Sequence, residues 1–84
     1  MTPVEQLGRD ERLSTCTRMV GIEILRQIDP MTGRARVTAE QLADILHIAG
    51  GTVRKATDYL TSHNYIRKIR VGRNVEYLPG RDAG

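Results

Sequence analysis

Apolar side chains recur along this chain with two different periods, and the change of period divides it. In the first part they fall at Leu13, Cys16, Val20, Ile24 and Ile28, with Met19 and Leu25 beside them. Steps of three and four residues put such positions on one side of an α-helix. The spacing predicts a first helix with Asp10 as its N-cap and Asp29-Pro30 as its stop, because the residue before proline is pushed out of the helical region. Gly21 inside this helix costs about 1 kcal/mol relative to alanine, which is tolerable where another backbone approaches closely. Residues 1–9 show no periodicity, contain Pro3 and Gly8, and read as a flexible N-terminal arm ahead of a domain over 10–80.

Residues 31–36 form a Gly- and Arg-containing loop, after which Val37 is predicted to add one short strand. Thr38 then opens a second helix. The spacing Thr38-x-x-Gln41 is a capping box, in which each side chain satisfies a backbone donor at the helix start. This helix is predicted from Ala39 to Leu46. After a break at His47-Ile48-Ala49-Gly50, Val53, Ala56 and Leu60 mark a third helix reaching about His63. Then the period shortens to two. Tyr65 to Val71 and Val75 to Leu78 are β-branched and aromatic runs around Gly72-Arg73-Asn74, a hairpin with a Gly/Asn turn. Pro79-Gly80 ends it, and residues 81–84 are expected to fray.

The second and third helices and the turn between them follow a helix-turn-helix pattern position by position. Leu42, Leu46, Ile48, Val53 and Ala56 are the apolar residues that pin the two helices together, and Ala43 is small where they cross. His47 stands at a turn position that is most often Gly; histidine is among the residues that visit positive φ more readily than most. With a helix before and a hairpin after, the order helix, strand, helix, helix, strand, strand is that of an α+β winged helix-turn-helix domain, three helices with a small C-terminal β-hairpin wing. The stretch AEQLADILHIAGGTVRKATDYLTSHNYIRK resembles the winged DNA-binding domains of bacterial regulators of the GntR and MarR kinds. In those families a T-V-R-x-A-x-x-x-L helix precedes a G-x-I approach to the wing. Thr52-Val53-Arg54-Lys55-Ala56 and Leu60 match the helix, and Asn64-Tyr65-Ile66 stands where the wing begins. The first helix and the wing also look like those of small plasmid replication proteins. The resemblance covers about residues 13–78 and implies binding to double-stranded DNA.

The charge distribution agrees with that implication. The 84 residues carry a net +3. Residues 1–30 hold four bases and five acids, a net of −1, and residues 31–51 balance two against two. Residues 52–84 hold seven bases and three acids, so the excess, +4, is C-terminal. Such asymmetry suggests an anionic partner for the second half.

In a winged domain the third helix lies in the major groove. Its residues free of packing duties are Gly50, Gly51, Thr52, Arg54, Lys55 and Asp58. Gly50-Gly51 leaves bare amides at a helix start, a seat for a phosphate. Direct readout then rests on Arg54 or Lys55, most naturally to guanine, while Asp58 could accept from cytosine or orient a neighbouring base. Thr38 at the start of the second helix, and Arg67, Lys68, Arg70, Arg73 and Asn74 in the hairpin, complete the candidate DNA-binding set. A tip arginine such as Arg73 can enter an adjacent minor groove. Tyr59, Tyr65 and Tyr77 are read as packing residues and Cys16 as a small buried hydrophobe.

Other classes of function are disfavoured. No Gly-rich phosphate loop, nucleophile elbow or paired-histidine metal motif appears, and so short a chain leaves little room for a shaped catalytic pocket, so an enzyme is not expected. One Cys and two His cannot close a zinc site; no metal, cofactor or small-molecule ligand is expected. No apolar run approaches the roughly 18–20 residues that cross a bilayer, and MTPVEQLGRDER lacks the order of a signal peptide; a cytoplasmic, nucleoid-associated protein is the expectation. One such domain makes few DNA contacts, so a homodimer is expected, with the first helix, either terminus or the apolar Ile45 at its interface. The leading function is transcriptional regulation or repression, and the alternative is a plasmid- or phage-type replication, partition or maintenance factor on iterated sites.

Overall fold

Helix α1 spans Thr15–Arg26, α2 Ala39–Leu46 and α3 Gly50–Ser62, followed by strands β1 Ile66–Val71 and β2 Asn74–Pro79. The computed structural model describes residues 7–9 and 13–80, and residues 7–9 also have helical backbone. The frayed tail expected at 81–84 lies outside the described residues.

The ends of α1 depart from expectation at both sides. Ser14, in extended backbone, is the N-cap; its hydroxyl accepts from the Thr17 N–H at 3.1 Å. Asp10, expected to cap this helix, lies outside the described residues. At the other end Gln27 caps the helix, short of the Asp29-Pro30 stop. The reason is a tight loop that claims the backbone of Asp29: its N–H donates to the Arg34 carbonyl at 2.9 Å and its carbonyl accepts from the Gly33 N–H at 2.7 Å. The Asp29 carboxylate also accepts from the Met31 N–H, so Asp29 is a loop residue and not a helical one.

The capping box of α2 is present in both directions, Thr38 N–H to Gln41 Oε1 at 2.9 Å and Gln41 N–H to Thr38 Oγ1 at 3.0 Å. This helix ends at His47 in the left-handed conformation, φ 57°, and the Ile48 N–H closes onto the Ala43 carbonyl at 3.1 Å. Helix α3 ends in the same way at Asn64, φ 62°, with the Tyr65 N–H on the Leu60 carbonyl at 2.9 Å. Asn64 is the residue that stands for Gly in the G-x-I pattern, and its positive φ is the physical reason that pattern favours Gly.

The hairpin is antiparallel with Val71 opposite Asn74, leaving Gly72 and Arg73 as a two-residue turn. Only Gly72 has a positive φ, 63°, which is the requirement of a II′-type turn. The third short pairing is made by Ala35 and not by Val37: Ala35 and Tyr77 exchange both backbone hydrogen bonds, at 2.8 and 3.0 Å. Val37 sits two residues on and is buried in the core instead.

Leu13, Val20, Ile24, Leu42, Val53, Ala56, Leu60, Ile66 and Tyr77 share one core. Leu7 belongs to it as well and has no exposed surface, which corrects the reading of residues 1–9 as an arm at its C-terminal end; residues 1–6 lie outside the described residues. Its carbonyl accepts from Arg18 Nε at 2.9 Å, tying it to α1. The close approach inferred at Gly21 comes from side chains rather than backbone. A Cβ there would stand 2.8 Å from Leu7 Cδ1 and 3.2 Å from Leu60 Cδ2. Cys16 is only partly buried on the α1 stripe. No helix among the described residues is long and apolar enough to cross a membrane.

Candidate nucleic-acid interface

The core face of α3 holds Val53, Ala56, Thr57 and Leu60. At 100° per residue the opposite side is left to Gly51, Arg54, Lys55 and Asp58, all exposed, as is Gly50; Thr52 is half-buried at the margin. Thr57 is buried because it lies one turn from both Val53 and Leu60, and its hydroxyl donates to the Arg54 carbonyl at 2.9 Å. Ala49 precedes the helix in extended backbone and makes no side-chain cap. The first-turn amides are therefore free of a capping side chain, and a Cβ built on Gly50 or Gly51 would meet open space.

Alternation along the hairpin sorts its charges onto two faces. Lys68 and Arg70 stand opposite Tyr77 and Val75, on the face that carries buried Ile66. That face looks toward α3, since Lys68 Nζ is 3.9 Å from Asp58 Oδ1. Arg67 pairs with Leu78 on the other face, and its Nε donates to the Pro79 carbonyl at 3.0 Å.

Between α3, the start of α2 and the hairpin runs an open groove of about 430 Å³. Of the candidate residues, Thr38, Arg54, Asp58, Lys68, Arg73 and Asn74 line it. Gly50, Gly51, Thr52 and Lys55 continue the surface along α3, Arg70 is exposed on the hairpin, and Arg67 is turned away. Three cationic side chains against one carboxylate give the groove a positive balance. Lys68 Nζ also lies 6.0 Å from the centroid of the Tyr77 ring. The Tyr77 phenol is held above its ordinary pKa, first by burial and then by the negative charge of Asp58, while a hydrogen bond with Thr57 opposes the shift.

A second charged cluster had no signal in the sequence. Glu76, on the face of the hairpin away from α3, is buried and sits 3.7 Å from Arg34 and 3.2 Å from Arg36. These partners meet only because Ala35 pairs with β2, which brings the 29–36 loop across the hairpin.

No protein family matches the chain. Nor does any curated protein match it by sequence. Among solved structures it is similar to "TubR bound to 24 bp of tubC from Bacillus thuringiensis serovar israelensis pBtoxis", with a TM-score of 0.61 and 20% identity, over 98% of this chain and 83% of that one. It is similar also to the "type III plasmid segregation TubR mutant", with a TM-score of 0.61 and 19% identity, over 95% of this chain and 79% of that one. Identities this low carry the fold and nothing finer, and the fold they carry is the α+β winged-helix architecture that the helix order and the hairpin had already assembled.

Proposed function

We propose that this chain binds double-stranded DNA with sequence preference, setting α3 in the major groove and the hairpin on the adjacent backbone and minor groove. The observation that carries this reading is the groove that gathers Arg54, Lys68 and Arg73 beside the open N-terminus of α3. In the bound state the amides at Gly50, Gly51 and Thr52 and the start of α2 at Thr38 take phosphates, an arrangement suited to helix N-termini. Arg54 and Lys55 reach base edges, and Arg70, Arg73 and Asn74 hold the flanking backbone. Arg67 is left out of the base-facing set because its side chain lies on the far face of the hairpin. Two glycines read no base edge, so shape and phosphate contacts carry a large share of the affinity.

Two biological roles use such a surface. One is a transcriptional repressor acting as a homodimer over a palindrome; Met19 at 38% and Ile45 at 48% exposure offer apolar surface on α1 and α2 for the pairing. The other is a plasmid partition factor on iterated sites, and this role is favoured by the likeness to TubR, whose structures are described as bound to tubC and as belonging to plasmid segregation.

The test is to incubate the purified protein with sheared genomic DNA of its host at about 150 mM salt, which suppresses much non-specific phosphate binding, and to sequence the retained fragments. Discrete sites are expected. A single palindrome would select the repressor and a direct-repeat array the partition factor. Uniform retention, or none, would overturn sequence-preferring binding.

A further inference from the structure

We propose that Asp58 is an internal competitor for DNA phosphate: by holding Lys68 in the groove it lowers affinity for duplex of any sequence. The inference rests on the duplex-binding reading above.

Among the described residues lining the groove Asp58 is the one acid, beside Arg54, Lys68 and Arg73, and Lys68 Nζ lies 3.9 Å from its Oδ1. Its negative charge also acts across the groove on the Tyr77 phenol, adding to the upward shift that burial produces. The pair does little for the fold: the Asp58 side chain is 78% exposed, and exposed ion pairs contribute little to stability. Its consequence is for binding. A phosphate brought to Lys68 must displace Asp58 or sit beside it against like-charge repulsion, so part of the lysine's counterion release is forfeited. The other exposed acids of the helices, Glu40 and Asp44, lie on α2 and do not line this groove.

The test is a double-mutant cycle read by fluorescence anisotropy on a random-sequence duplex across a salt series, using wild type, Asp58→Asn, Lys68→Ala and the double variant. Asp44→Asn serves as control for an added unit of charge. Asp58→Asn is expected to tighten binding about two- to fivefold at 150 mM salt, the range of an exposed pair, and to steepen the salt slope by about 0.9, one extra phosphate. Asp44→Asn should do less, and the excess should vanish when Lys68 is alanine. A Lys68→Ala loss that is the same with and without Asp58, or an Asp58→Asn gain no larger than that of Asp44→Asn, would overturn the competitor role. So would weaker binding of Asp58→Asn to a retained genomic site without a gain on random duplex, which would mean that Asp58 reads a base. If the wild type binds no duplex at 50 mM salt, or Arg54→Ala and Arg73→Ala bind as wild type does, the DNA reading itself fails. Losses in those two variants with an inert Asp58 would leave that reading standing. Unchanged thermal melting of Asp58→Asn confirms that the comparison is made between folded proteins.

Discussion

The packing of Leu7 over Gly21 is the sharpest departure from what the sequence suggests, and it can be tested through the sign of a coupling. Leu7 is fully buried, and removing such a leucine side chain costs about 2–5 kcal/mol. A chain of 84 residues has a total stability of only about 4–13 kcal/mol, so Leu7→Ala should remove a large part of it. Gly21→Ala has two opposed effects. Alanine gains about 1 kcal/mol of helix propensity, whereas a Cβ placed 2.8 Å from Leu7 Cδ1 and 3.2 Å from Leu60 Cδ2 must push a packed side chain aside, at about 1–3 kcal/mol. In the wild type the net effect should be neutral to destabilising. In the Leu7→Ala background the tightest contact is gone and only the 3.2 Å approach of Leu60 remains, so the same substitution should become stabilising by about 0.5–1 kcal/mol. Urea unfolding of the four proteins, followed by circular dichroism, gives the cycle. Additive effects, or a Leu7→Ala cost below about 0.5 kcal/mol, would refute the placement of Leu7 in the core.

Three further outcomes are expected. His47→Gly should raise stability by about 0.5–1 kcal/mol, because His47 is exposed and held at φ 57°, a conformation glycine adopts without strain; a lower melting temperature would contradict this. Gly80→Ala should destabilise by about 1–3 kcal/mol, since its Cβ would overlap the Asn64 carbonyl where the end of β2 meets the turn after α3; the check is its denaturation midpoint. Arg54→Ala and Arg73→Ala should separate in kind. The first should lose about 1–3 kcal/mol of discrimination between a retained site and random duplex, and the second should weaken both alike and flatten the salt slope by about 0.9, as competition titrations would show.

What could be read from the sequence was local. The capping box at Thr38 and Gln41, the left-handed turn at His47 and the Gly72 turn each depend on a few adjacent residues, so their signals survive without tertiary knowledge. The exposed stripe of α3 followed from its period alone. Alternation from buried Ile66 places Arg67 on the far face of the hairpin, whereas charge alone groups it with Lys68 and Arg70. Leu7 was hidden because its partners, Gly21 and Leu60, lie far along the chain and Pro3 and Gly8 suggested a loop. Ala35 took the pairing expected of Val37 for a similar reason: the choice is made by where the 29–36 loop meets Tyr77, not by β propensity. The Glu76 cluster and the Asp58–Lys68 pair are products of that same long-range assembly.

The central claim is that duplex DNA occupies the surface formed by α3 and the inner face of the hairpin. The most direct test is to follow the backbone amide resonances of the labelled protein while a retained genomic duplex is added. Shifts confined to Thr38, residues 50–58 and residues 68–74 are the expected result. Shifts centred on α1 and residues 7–9, with the α3 and hairpin amides unmoved, would contradict it.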